Sequence, residues 1–477
     1  MLRAPYSLFV SLIFCSAAFA ASVTFSGTLY DTTGFANGVI SADLNRDGFP
    51  DIAVAGGTSV SVFLATSPGK FGAEAHYTVP GPSDLKDVLA ADFNGDGALD
   101  LIVRHEEVGQ LSLLWNNGDG TFRNGPTLKF SASVTSFDIG DFNHDGFLDI
   151  ATVECTSSFP TSPPCSVNVY LGHGNGTFTK LQRIRISAAA DQLSVADMNG
   201  DGQLDVVISR DRQVLIFWGR RNGTLTAPTY LNPPGGSEGI QSFAIADFNN
   251  DGKLDLVVET GTNLSHIMGC LSLAGRSSSY KNMGGKRFSL VWTSQVGCAN
   301  LGSIDLNGDL NQDLIFQNGH PEAGFFSGLL GNGDGKFRST PQSFPNQGGG
   351  PMYVRDMDLD SRDDYVVGVG LFSEFVVALQ TGGFKNCIPP DSRRLTAKIC
   401  TPASGKATSP VLVRAAGNSP AGVIQLQVWI DGVKKAVKWH DQLANKFSLP
   451  SGTHRITVIA TDKYLGTAKA SMALTVQ

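Results

Sequence analysis

Seven stretches of this chain carry oxygen-bearing side chains at a spacing that lets them converge on one point. The pattern is D-x-N-x-D-G-x-x-D. It reads Asp43, Asn45, Asp47, Gly48, Asp51 in the first copy and Asp92, Asn94, Asp96, Gly97, Asp100 in the second. The third is Asp141, Asn143, Asp145, Gly146, Asp149, and the fourth is Asp197, Asn199, Asp201, Gly202, Asp205. The fifth is Asp247, Asn249, Asp251, Gly252, Asp255. The sixth keeps Asp305, Asn307, Asp309 and Asp313 but puts Leu310 in the glycine slot. The seventh has Asp356, Asp358, Asp360 and Asp364, with Ser361 in that slot.

Such a donor set suits a hard cation. Ca²⁺ takes about six to eight oxygens at about 2.3–2.6 Å, whereas Mg²⁺ demands a tighter octahedron and keeps its waters. Side chains at motif positions 1, 3, 5 and 9 supply carboxylate or amide oxygens. The main-chain carbonyl at position 7 (Phe49, Ala98, Phe147, Gln203, Lys253) is a further expected donor. Glycine at position 6 permits the sharp turn that gathers them. The loop is not an EF-hand, because position 12 is apolar (Val54, Val103) and no helical pattern flanks it. The expectation is five to seven Ca²⁺ ions. Two other readings compete: solvated Asx turns and paired catalytic carboxylates. Recurrence argues against catalysis, since a reaction needs one pair while a stabilising site gains from repetition.

The elements that must hold these loops follow from their period. Successive copies start 49, 49, 56, 50, 58 and 51 residues apart, which suits a four-stranded antiparallel unit. A short apolar run precedes each copy, as in Phe243–Ala246, and a β-rich run follows, as in Leu254–Val258. Next comes an alternating strand that ends in a Gly-rich turn, as in 113–122, with similar turns before Phe178 and Phe337. Asn-Gly and Asp-Gly are hairpin signals because both residues tolerate positive φ. The fold class expected is all-β: a seven-bladed β-propeller over 21–386, with a solenoid as the alternative. The last repeat leaves room for three strands, so Ser22–Tyr30 is expected to return as its fourth and close the ring.

DFNGDGALDL (92–101) followed by LLWNNGDGTF (113–122) resembles the FG-GAP/VCBS-type repeat of integrin α-subunit propellers and of many secreted bacterial proteins. The resemblance spans about residues 22 to 386. It implies a propeller with calcium in blade loops, and it does not imply one function.

Both ends of the chain differ from the repeats. Residues 1–20 read as a signal peptide: Arg3, an apolar stretch from Leu8 to Phe14, and Ala18-Phe19-Ala20 as the cleavage site. That apolar run is short for a transmembrane span, and no later stretch reads as one. The expected location is secreted, extracellular or cell-surface, with the periplasm as the alternative. Six cysteines remain beyond the leader, in three local couples: Cys155/Cys165, Cys270/Cys298 and Cys387/Cys400. An even number in an exported chain suggests disulfides, with free buried thiols as the alternative. Thr156–Pro164 in the third repeat and the stretch between Cys270 and Cys298 in the fifth are the expected insertions. Residues 387–477 show short β runs separated by turns such as Asp431-Gly432. They suggest an immunoglobulin-like sandwich and resemble bacterial Ig-like modules around Gly452-Thr453-His454-Arg455.

The formal net charge of the chain is −7. Residues 388–477 hold 12 Lys/Arg against 4 Asp/Glu, so the acidity lies in the repeats, whose seven motifs place 22 Asp at the pattern's own positions. It is better explained as stored metal ligands than as a statement about partners, although it disfavours nucleic acid. No H-E-x-x-H, P-loop or dinucleotide fingerprint occurs. The expected function is a calcium-stabilised interaction or adhesion protein with an extracellular protein or glycan partner. A lectin or a carbohydrate-active enzyme, such as a polysaccharide lyase or hydrolase, is the alternative.

Overall fold

The structure is a computed structural model. It describes residues 25–477 apart from 83, 107, 157–163, 235–238, 262–275, 296–300, 308, 310, 318–324, 346–350, 359–363, 370–373, 381–394, 403–405, 408, 420–422, 439–441 and 463–465. The expected signal peptide, Cys270, Cys298, Leu310, Asp360, Cys387 and the centre of the Thr156–Pro164 loop therefore lie outside the described residues. Among those described there is no helix, and none long and apolar enough to cross a membrane.

The repeats form propeller-like four-stranded sheets, seven among the described residues. Each acid motif lies along the chain between the first and second strands of its sheet. In the first sheet it joins Gly38–Ala42 to Asp51–Gly56, and in the fourth it joins Ala190–Ala196 to Asp205–Arg210. Register is the same in every copy: the residue before the motif pairs with its last Asp, as in Ala42↔Asp51, Ala196↔Asp205 and Arg355↔Asp364.

Second strands read as continuous apolar runs because both their faces are covered. In Val206-Val207-Ile208, the first and third side chains join a core with the third sheet, and Val207 joins a core with the fifth. Further apolar clusters join the first sheet to the second, the second to the third, the fifth to the sixth and the sixth to the seventh. One more returns from the seventh to the first through Ile52, Val54, Phe63, Val366 and Phe375. The chain thus closes on itself, which removes exposed sheet edges between units.

Closure uses the N-terminal strand as expected. Phe25–Asp31 pairs antiparallel with Glu374–Gln380, from Phe25↔Gln380 to Asp31↔Glu374. Tyr30 stacks on Phe375 with ring centroids 5.2 Å apart. The Arg355 guanidinium donates to the Ser41 carbonyl at 3.0 Å, a second tie between the two ends.

Cys155 and Cys165 are disulfide-bonded at the mouth of the third-repeat loop. Cys400 is also disulfide-bonded. The fifth repeat corrects one expectation. Much of the stretch between Cys270 and Cys298 is not inserted, because it holds the third and fourth strands of that sheet, Arg276–Asn282 and Phe288–Ser294. A Ser-rich strand, Ser277-Ser278-Ser279, lacks the apolar signal by which the other third strands are read, yet all three residues are buried.

After the ring, a three-stranded sheet and a five-stranded sheet enclose one core that includes Val413, Leu426, Val428, Leu443 and Val458. The Asp431-Gly432 turn has φ of 52° and 79°, the positive values that a tight hairpin requires.

Candidate metal loops

The first six motifs cap their own backbone. In the first loop the Asp43 carboxylate accepts the N–H groups of Asp47 and Gly48, both at 3.1 Å. The Asp47 carboxylate accepts the N–H of Phe49 at 2.8 Å and the Asn45 amide at 2.9 Å. Equivalent bonds recur in the third loop through Asp141 and Asp145 and in the fourth through Asp197 and Asp201. Asp92 and Asp96 repeat them in the second loop, and Asp247 and Asp251 in the fifth. Glycine at position 6 has φ between 81° and 94° in the five complete copies, as its place in the motif requires.

The last carboxylate plays a different part. Asp51, Asp100, Asp149, Asp205, Asp313 and Asp364 are fully buried, and Asp255 nearly so. One oxygen of Asp51 accepts the N–H of Leu44 at 2.7 Å, and the other accepts the N–H of Ala65 at 2.7 Å. Asp149 does the same for Phe142 and Gly172, and Asp364 for Met357 and Gln380. This side chain therefore fastens the loop to the end of the third strand.

Holding a charge there is costly. Burial pushes the carboxyls of Asp51, Asp100, Asp149, Asp205 and Asp255 up to about 7, and the other acids of each loop push the same way. Burial and then Asp305 drive Asp313 up to about 9. Burial also raises Asp43, Asp197 and Asp247.

The seventh loop, degenerate by sequence, gathers its acids most closely. Asp356, Asp358 and Asp364 each offer an oxygen within 4.8 Å of the others, the one such group of three among the described residues. Position 3 is an aspartate here rather than an asparagine. A carboxylate thus stands where the other loops present an amide.

Three features of the loops were not anticipated. Position 2 is an apolar anchor in every copy: Leu44, Phe93, Phe142, Met198, Phe248, Leu306 and Met357 are all buried. The signal was an apolar residue recurring directly after the first Asp. In three copies position 4 bridges to a neighbouring loop from a left-handed backbone, with φ of 62°, 60° and 58° at Arg46, His144 and Asn250. Arg46 lies 3.5 Å from the Asp96 carboxylate, His144 Nε2 is 3.0 Å from Gln203 Oε1, and Asn250 donates to Asn311 at 2.7 Å. Finally, an amide on the third strand ties each of three loops to the next sheet. Asn116 donates to the Leu44 carbonyl at 2.7 Å, and Asn282 and Gln380 donate to Met198 and Leu306.

The loops are not electrostatically equal. Lys253 and Lys281 lie 3.6 and 3.2 Å from Asp251 in the fifth. Lys438, from the C-terminal unit, donates to Asn250 in the same loop.

The FG-GAP-like repeat model matches residues 43–103, 92–152, 161–208 and 197–258, so the chain carries FG-GAP-like repeats in an all-β, propeller-like fold. No curated protein matches it significantly. Among solved structures, a fungal alcohol oxidase of the AA5 family in complex with copper is similar at 9% identity. Its TM-score is 0.50, covering 96% of this chain and all of that one. The structure of BBS1N in complex with ARL6DN is similar at 10% identity and TM-score 0.49, covering 73% of this chain and 93% of that one. An Agrocybe aegerita lectin that recognises non-reducing terminal N-acetylglucosamine is similar at 18% identity and TM-score 0.44, covering 66% and 81%.

Proposed function

We propose that this chain is an exported, calcium-stabilised interaction protein: a seven-bladed propeller followed by an Ig-like module, with a protein or glycan as its partner. One observation carries the reading. The same acid loop recurs at the same register of each sheet, with its last carboxylate buried beside other acids of its loop. A buried carboxylate needs a compensating partner. An all-oxygen donor set in a tight turn favours Ca²⁺ over softer-ligand metals.

The residues that would hold the ion are the acids and amides at positions 1, 3, 5 and 9, with the position-7 carbonyl. Bound calcium would supply charge compensation and rigidity to the turn. Asp51 and its counterparts keep the loop pinned to the third strand, so each carboxylate presents its remaining lone pairs from a fixed place. The ring then serves as a stiff platform, and binding on such scaffolds resides in the loops. The longer third and fifth repeats are where we place the partner contact.

Glycan and protein arrays probed with the calcium-loaded chain, run beside depolymerisation assays on acidic polysaccharides, test this function. Saturable binding without turnover supports it. Cleavage of any such polymer overturns it in favour of a carbohydrate-active enzyme.

A further inference from the structure

A buried cation from the C-terminal unit reaches the acid loops. Lys438 ends the strand Val433–Lys438, which lies at the edge of the five-stranded C-terminal sheet. It is only 9% exposed. Its ammonium donates to the Asn250 side chain, and its charge acts on Asp247 of the fifth loop and on Asp305 and Asp309 of the sixth. The contact is close. A Cβ placed on Gly252, the turn glycine of the fifth loop, would lie 3.0 Å from Val437 Cβ. Beside it lies a cavity of about 320 Å³ lined by Asn250, Asp251, Asp309, Asn311, Lys435 and Lys438.

We infer that the C-terminal unit caps the fifth and sixth loops through Lys438, and that this ammonium and a divalent cation compete for the same carboxylates, so that cation binding and docking of the cap oppose one another. The inference rests on the calcium reading of the loops. Its physical basis is that a buried lysine needs opposite charge around it. Asp247, Asp305 and Asp309 provide that charge only while no other cation has neutralised them. The coupling is reciprocal: a cap that weakens cation binding is itself loosened by the cation. Complementarity extends beyond Lys438, since Lys435 lines the same cavity as Asp251 and Asp309. Lys253 and Lys281 already offset part of that loop's charge.

The test uses the full chain, with Ca²⁺ as the probe, at constant ionic strength so that screening does not imitate release. Calorimetric titration is compared for the wild type, Lys438→Gln and Lys438→Arg. Small-angle scattering follows the radius of gyration across the same titration. The expected result is that Lys438→Gln raises Ca²⁺ affinity about tenfold at two sites and leaves the others unchanged, with Lys438→Arg close to wild type. The wild-type radius should rise as those two sites fill, and that of Lys438→Gln should be high from the start. Calcium binding with equal affinities in all three proteins, or with no change in radius, overturns the coupling and leaves the calcium reading standing. No calcium binding in any of the three overturns both.

Discussion

At the scale of single residues, the loops are held by pairs of roles that the motif's own letters do not display. The nine-residue pattern names ligand candidates, but their orientation depends on position 2 in the core, on position 9 bonding the third strand, and on amides from another sheet. Asn116 shows the distinction. It lies outside every motif, yet its amide serves the carbonyls of both Leu44 and Leu99. Asn116→Ala leaves those buried carbonyls short of a donor, at a cost of about 1–3 kcal/mol. Denaturant unfolding of the variant should show that loss even in EDTA. Unchanged stability would mean that the tie between loops is dispensable.

A second residue-scale outcome concerns pH. Glu259 is fully buried, and burial holds its carboxyl well above the ordinary 4.5 despite the Ser242 hydroxyl. A folded-state value above the unfolded one means the side chain is fully tolerated below about pH 4.5. Stability is then lost as pH rises, because only the unfolded chain ionises freely. Glu259→Gln removes that slope. Its melting temperature should match the wild type near pH 4 and exceed it increasingly towards pH 8. A gap that is constant across this range would contradict the assignment.

At the scale of elements, the repeats were legible because two periodicities coincide: an apolar strand on each side of the acid motif and an Asn-Gly or Asp-Gly turn one strand later. The return of the N-terminal strand was legible for a counting reason, since the last repeat lacked one strand. The fifth repeat was harder to read. Its third strand buries serines rather than aliphatics, so hydropathy marks no strand there. Position 4 was illegible for a different reason. Arg, His and Asn share no chemistry, and what unites them is a backbone in the left-handed region that lets each reach the next loop.

Two outcomes belong to this scale. Deleting residues 21–31 leaves the Glu374–Gln380 strand as an open edge and uncovers Phe375 and Tyr365. The truncated chain should self-associate in sedimentation analysis, and a monodisperse monomer would contradict ring closure by this strand. Opening the Cys155–Cys165 bridge releases a loop of sequence separation 10. By the chain-entropy relation this costs about 3 kcal/mol, and unfolding of Cys155→Ser/Cys165→Ser against the oxidised protein measures it.

At the scale of the whole molecule, the acidity of the ring is its organising feature. The charge is not spread over the surface; it is concentrated in turns whose deepest carboxylates have no water to turn to. A ring assembled from such units stores repulsion at many points at once. A cation in excess of its dissociation constant by tenfold stabilises by about 1.4 kcal/mol per site. Several sites together rival the net stability of a domain, about 5–15 kcal/mol. The basic C-terminal unit, with its lysine between the fifth and sixth loops, addresses the same repulsion by other means.

Differential scanning calorimetry of the chain after exhaustive EDTA treatment, with and without millimolar Ca²⁺ added back, tests this directly. The account predicts an upward shift of the ring's transition by many degrees on adding calcium, reversed by chelator. Superimposable traces, with equal resistance to protease, would contradict it.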